Sequence, residues 1–471
     1  MSKRNWWLLT LASSICLCAG LAATILTLNL IGVNLTDAPA LPPATALPTA
    51  ALAEPTTATP EETSAVETPS PEPSTLSAEV RAQMDEIQQQ VILLRGLAPT
   101  GPVQRALLTP DELRQRVIDE LLETYSQEEA DDDAHFLTLL GLLPAGFDLW
   151  TFSTDLYAEQ LAGYYDHETK EMYVVAGQTF AGPERLTYAH EYVHALQDQN
   201  YDIENGLGVN EAACDQDSER CAAIRSLMEG DASLVETEWL RLFATPDDLH
   251  DIQAFYGSFE GPVFYSAPES LQNDFLFPYT YGIEFVRQLY LAGGWAAVDR
   301  AYTNPPTSTE QILHPERFPE DAPIVLRLPD TLEALGPGWR PISQGVMGEW
   351  TTRLVLLTTL EEATAIQAAE GWGGDAYVAF THEPSGEEAL IWLSQWDRLR
   401  DSEEAFLAFR GYGDQRFGDH ASAAAFSVNW NKADVYALLE RQSEQMLWIQ
   451  AADVATALTL RQAVDFPTTM P

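Results

Sequence analysis

Leu186-Thr-Tyr-Ala-His190-Glu191-Tyr-Val-His194-Ala-Leu-Gln-Asp198 is the stretch on which the reading of this chain turns. It has helical periodicity: Leu186, Ala189, Val193 and Leu196 share one face, and His190, His194 and Asp198 share another. Residues i and i+4 stand one turn apart, so both imidazoles can reach one metal ion. Zinc takes neutral imidazole nitrogens, and a catalytic zinc site keeps three protein ligands and one position for water. Glu191 sits one step round the helix. A carboxylate there touches the water rather than the ion and takes its proton during attack on a carbonyl. Asp198 is placed to accept a hydrogen bond from a ligating imidazole. The expected cofactor is one Zn2+ per chain.

Two histidines leave a third ligand to be found. Positions 197 and 200 are Gln and Asn, so no third histidine follows on the same helix. A carboxylate on a second helix is expected instead, with Glu211, Glu229 and Glu236 as candidates. Glu229 is favoured: it lies in a helical stretch, and Gly230 beside it lets two helices approach closely. Asp231 is a candidate outer partner. Glu236, seven residues on, shares the Glu229 face and is the spare.

Working outward, Ala162–Asp166 and Glu171–Val175 read as two strands around a polar turn. Helical patterning runs from Leu76 to Leu94, from Thr109-Pro110-Asp111-Glu112 onward, and from Asp155 to Leu161. Long helices then alternate with loops to about Phe318. Pro-rich segments at 319–329 and 336–341 suggest a boundary. Beyond it the pattern reads helix 346–370, strands 376–381 and 389–395, helix 402–412, strand 445–451 and helix 454–464. The expected fold class is α+β. It comprises a mostly helical zincin domain with a small edge-strand hairpin (76–335) and a smaller α+β C-terminal module (336–471).

Lys3 and Arg4 precede an uncharged run from Asn5 to Asn34. Trp6 to Val33 would span about 42 Å as a helix, more than the ~30 Å hydrocarbon core. A membrane anchor over 1–35 is expected, with the N-terminus cytoplasmic and the body outside. The alternative is a signal peptide cleaved near Gly20-Leu21-Ala22. Residues 36–75, rich in Pro, Thr, Ala and Glu, read as an extended stalk. Cys214 and Cys221 bound a short acidic loop and suit a disulfide in an oxidising compartment.

The chain has 471 residues, 71 acidic against 25 Lys and Arg, and a formal net charge of −46. Nucleic-acid binding is excluded on this balance, because nothing supplies a basic footprint for phosphates. The acidity reads as a well-solvated surface.

The zinc-helix stretch resembles the gluzincin metallopeptidases, whose thermolysin-like members share His-Glu-x-x-His with an Asp four residues beyond. Pro278-Tyr279-Thr280-Tyr281-Gly282 is similar to the PYxKG segment of gluzincin aminopeptidases, with Gly293-Gly294 and Ala301-Tyr302 following as in those enzymes. The lysine of that segment is Tyr281 here, and their Gly-x-Met-Glu-Asn element is absent. The resemblance implies that Tyr279 donates to the oxyanion of a tetrahedral intermediate, a role a neutral phenol can fill. Ala189–Gln199, Glu229-Gly-Asp-Ala232 and Ser308–Pro315 also resemble a group of bacterial exported metalloproteases. His314 is a candidate transition-state donor or, where Ser308 and Gln311 cap a short helix, a packing residue. Two classes of function follow: a membrane-tethered zinc peptidase acting on peptide or protein, or a zincin-like surface protein that binds without catalysis. Retention of Glu191 favours the first.

Overall fold

The computed structural model describes residues 15–17, 76–175 and 180–466. The expected stalk lies outside them, and so does the expected anchor except for Ile15–Leu17, which forms a short strand, β1. Among the described residues no helix is long and apolar enough to cross a membrane.

The first half is helical around a small sheet. In order it contains α1 (Ala78–Arg95), β2 (Gln104–Leu108), α2 (Pro110–Thr124), α3 (Gln127–Leu139), α4 (Leu149–Gln160), β3 (Leu161–Asp166) and β4 (Glu171–Val175). Then come α5 (Gly182–Tyr201), α6 (Glu211–Gln216), α7 (Ser218–Leu242), α8 (Pro246–Ser258), α9 (Pro262–Ser266), α10 (Glu269–Gly293), α11 (Trp295–Thr303), α12 (Thr309–Leu313) and α13 (Thr331–Leu335). β3 and β4 form the expected antiparallel hairpin, β2 adds parallel to β4, and β1 pairs antiparallel with β3.

The Leu186–Asp198 stretch lies on α5. Pro183 sits at its first turn, and Glu184 reaches back to accept from Ala181 N–H at 3.0 Å, which sets the helix start. Asp202 in the left-handed conformation (φ 53°) ends it. α1, α7, α8 and the hairpin pack around α5. Leu186, Ala189, Val193 and Leu196 enter a core with Met84, Ile87, Val91, Val235 and Trp239. Packing on several sides also buries the polar face, so His190, Glu191, His194, Gln197 and Asp198 are 5% exposed or less. Buried polar groups must find partners, and here they find them on α7 and β3.

α7 and α10 cross at backbone contact. A Cβ on Gly230 would lie 2.1 Å from the Gly282 carbonyl oxygen, and one on Gly282 would lie 2.2 Å from that of Ser226. This pair of glycines fixes how α7 presents Glu229 to α5. α10 runs unbroken through Pro278, so the Pro-Tyr-x-x-Gly segment lies within a helix.

The second half is a seven-stranded antiparallel sheet, confirming the α+β class. Its elements are β5 (Trp339–Gly345), α14 (Gly348–Leu357), α15 (Glu362–Ala369), β6 (Trp372–His382), β7 (Glu387–Trp396), α16 (Leu399–Phe417), β8 (Ser422–Ala424), β9 (Ser427–Asn431), β10 (Tyr436–Gln442), β11 (Gln445–Ala451) and α17 (Val454–Ala463). The strand order is β5-β6-β7-β11-β10-β9-β8. β5 and β8–β10 exceed what the sequence pattern indicated, and the expected single helix over 346–370 is two. α16 covers one face through Phe409 and Tyr412 against Trp392 and Trp448. α13 and α17 cover the other. One hydrophobic core runs across the expected boundary, with Phe277 stacked on Trp350 at 4.5 Å and Phe136 on Tyr377 at 4.8 Å. The Cys214–Cys221 disulfide joins α6 to α7.

Candidate functional site

α5 and α7 bring His190, His194 and Glu229 together. His190 Nε2 is 3.2 Å and His194 Nε2 3.5 Å from the same oxygen, Glu229 Oε2. The other ring nitrogens are committed elsewhere. His190 Nδ1 lies 2.8 Å from Glu236 Oε2, and His194 Nδ1 2.9 Å from Gln197 Oε1. The Gln197 amide orientation follows from its other end, where Nε2 donates to the Met228 carbonyl and to Asp231. Both Nδ1 partners only accept, so each ring donates from Nδ1. Both Nε2 atoms then present lone pairs to a carboxylate oxygen. Three acceptors facing one another in a buried pocket need protons or a cation between them.

The separations favour a cation. Ligand atoms about 2.1 Å from a tetrahedral zinc lie about 3.4 Å from each other, and 3.2 and 3.5 Å bracket that value. Glu191 adjoins the same position, its ligand atom within 4.8 Å of those of both histidines. Glu191 Oε1 and Glu229 Oε1 are buried and meet no hydrogen-bond donor among the described residues. Electrostatics point the same way. Burial disfavours charge on both rings. Glu229 and Glu236 beside His190, and Glu229 and Glu191 beside His194, outweigh it and hold both above the ordinary histidine range. Burial raises Glu229, but the two rings prevail and hold it below the usual carboxylate range. The pocket therefore favours positive charge at its centre.

Glu191 is held differently. Its Oε2 accepts the Tyr165 backbone N–H at 2.8 Å. Burial pushes its pKa up to about 7 against the opposing pull of His194 and His190. A carboxylate titrating near neutrality is suited to taking and returning a proton.

The outer contacts depart from expectation. Among the described residues Asp198 hydrogen-bonds neither His190 nor His194. It accepts from the Tyr165 hydroxyl at 2.8 Å and pairs with Lys170 at 2.7 Å, so Tyr165 ties β3 to α5 at two points seven residues apart. Gln197 stands on the imidazole instead. Asp231 lies behind it, taking Gln197 Nε2 at 3.2 Å, the Tyr302 hydroxyl at 2.8 Å and a wholly buried ion pair with Arg95 at 2.7 Å. Glu236, the spare ligand, orients His190. Glu211 is exposed at the first turn of α6, away from these groups. Sequence reasoning missed Gln197 and Arg95, because an amide and a helix-end arginine carry no metal-site spacing.

Tyr279 and His314 have other neighbours. Tyr279 is buried with Tyr157, Tyr164 and Tyr173, between α10 and the hairpin, one turn before Gly282. His314 ends α12, capped by Ser308 at its other end, and places Nε2 2.9 Å from Glu349 Oε1 on α14. Its partners are at the junction with the C-terminal sheet, which accords with the packing role.

A family described as "Domain of unknown function (DUF8575)" matches residues 339–461. That span covers the C-terminal sheet and none of the histidine-site residues. No curated protein and no solved structure matches the chain.

Proposed function

We propose that this chain is a zinc-dependent peptidase, with His190, His194 and Glu229 as metal ligands and Glu191 as general base. The observation that carries the proposal is the convergence of two imidazole lone pairs and one carboxylate oxygen at tetrahedral spacing, with a second carboxylate adjoining them. A zinc ion held there supplies Lewis-acid polarisation of a carbonyl and lowers the pKa of a water to about 7. The chain's own groups do the rest. Glu236 and Gln197 hold the two rings with Nε2 inward. Glu191 accepts a proton and passes it to the leaving amine. Burial excludes bulk water and strengthens each of these interactions. β3 lies along the base and holds it through the Tyr165 backbone N–H. Tyr279 is proposed as the oxyanion donor.

The uncharged run behind Lys3-Arg4 supports a body tethered outside the cell, and the Cys214–Cys221 disulfide accords with an oxidising compartment. A membrane helix through Ile15–Leu17 and the pairing of those residues with β3 are alternative placements of one segment.

The test is metal content and peptide cleavage by the full chain. The proposal expects about one zinc per chain and cleavage abolished by 1,10-phenanthroline and restored by added zinc. A chain that takes up no divalent metal, or cleaves equally with the chelator present, contradicts it.

A further inference from the structure

A chain of side chains from three helices ties His194 to a buried arginine. Gln197 on α5 accepts from His194 Nδ1 at 2.9 Å and donates through Nε2 to Asp231 on α7 at 3.2 Å. Asp231 pairs with Arg95, at the last turn of α1, whose Nε lies 2.7 Å from Oδ1 and 2.9 Å from Oδ2. Both side chains are wholly buried. Tyr302 on α11 adds its hydroxyl to Asp231 Oδ2 at 2.8 Å. The guanidinium is held on its other sides as well, paired with Asp299 at 2.8 Å and lying 4.6 Å from the centre of the Trp295 ring.

The near end of this chain decides which nitrogen of His194 faces the metal position with a lone pair. With Oε1 toward the ring, Gln197 keeps the ring proton on Nδ1 and leaves the lone pair on Nε2, beside Glu229. With the amide reversed, its NH2 would face Nδ1, the proton would sit on Nε2, and the ligand position would be blocked. The acceptors behind Gln197 oppose that reversal: the Met228 carbonyl at 3.0 Å and Asp231 at 3.2 Å. Asp231 opposes it only while its carboxylate stays in place, and a wholly buried carboxylate needs a countercharge to stay there. Among the described residues Arg95 is the cation paired with it.

We infer that Arg95 is a positioning residue for the zinc site: through Asp231 it fixes the Gln197 amide, and through the amide the tautomer of His194. The inference rests on the reading of the histidine pocket as a zinc site. It also makes α1, the helix that follows the expected stalk, part of that site, two side chains removed from a ligand.

Zinc affinity of the full chain, measured by competition with a chromogenic chelator in a double-mutant cycle, tests this. Arg95→Met is expected to weaken zinc binding by roughly 3–10-fold, less than the loss of Gln197 itself, and to change it by less than about 2-fold when Gln197 is already Leu. Tyr302→Phe removes one donor from Asp231 and keeps the ring that stacks on Tyr201, so it is expected to fold. It should weaken zinc binding by roughly 2–5-fold, again only where Gln197 is present, and it decides the question if Arg95→Met fails to fold. A merely structural Arg95 would shift zinc affinity by the same factor in both backgrounds or in neither, and either result overturns the inference. A wild type that takes up no zinc contradicts the zinc reading and the inference with it. Equally tight zinc in the wild type and in both single variants overturns the inference alone.

Discussion

Gln197 does work that its position in the sequence hides. The spacing pointed to Asp198 as the partner of a ligating imidazole, and the structure gives that place to its neighbour. Asp198 does share the His194 face, but the Tyr165 hydroxyl and Lys170 claim its carboxylate. Gln197, three residues from His194, reaches Nδ1 while its amide nitrogen is anchored on α7. Replacing Gln197 by Leu is expected to weaken zinc binding by about 10–100-fold while preserving the fold, measured by competition with a chromogenic chelator. Glu236 makes a related point. Two carboxylates two turns apart on α7 serve the two nitrogens of one ring, and sequence alone cannot say which takes which. Tyr279 is a bet of another kind, made on resemblance and left beside the hairpin by the structure. Tyr279→Phe should leave zinc bound and KM nearly unchanged but lower kcat by about 10²-fold, as loss of a transition-state hydrogen bond does. An unchanged kcat removes Tyr279 from the chemistry.

At the scale of elements, the site depends on how α7 meets α10. Gly230 was legible as a close-approach residue because it interrupts a helical stretch beside a candidate ligand. Its partner Gly282 was legible only as part of a motif. Gly230→Ala would drive a methyl group into the Gly282 carbonyl. It is expected to cost about 1–3 kcal/mol and to lower zinc occupancy by shifting Glu229, read by denaturant unfolding and metal analysis. The hairpin, α5 and α7 were readable because their periods are strong. The strands β8–β10 were not, since Ser422–Gln442 mixes polar and apolar residues and gains its pattern only from pairing within a wide sheet. Nor was the α14–α15 break, because Thr358–Glu361 contains neither Gly nor Pro.

Across the whole molecule, the two halves meet beside a buried carboxylate: Thr309 Oγ1, which donates to Glu219, accepts the Trp350 N–H of the C-terminal half at 3.1 Å. Glu219 at the start of α7 accepts the Thr309 N–H and hydroxyl at 2.6 and 2.7 Å, and burial pushes its pKa up to about 8. A carboxyl raised in this way binds its proton more tightly in the folded state. Its contribution to stability is whole below its unfolded pKa, near 4.5, and is lost as pH rises through about 8. Glu219→Gln should therefore flatten the decline in unfolding free energy between those limits, by a few kcal/mol at most at about 1.4 kcal/mol per unit. An unchanged pH slope would mean that Glu219 stays charged when folded. The halves themselves were legible as an α+β arrangement, but their shared core was not, since sequence patterns report local faces and not which faces meet. The central claim, that the histidine pocket hydrolyses peptides, is tested most directly by comparing the wild type with Glu191→Gln for zinc content and peptide turnover. The expected result is equal zinc and a loss of turnover of roughly 10²–10⁴-fold, because the substitution removes the proton acceptor and no ligand. Equal turnover in the two proteins would contradict the account.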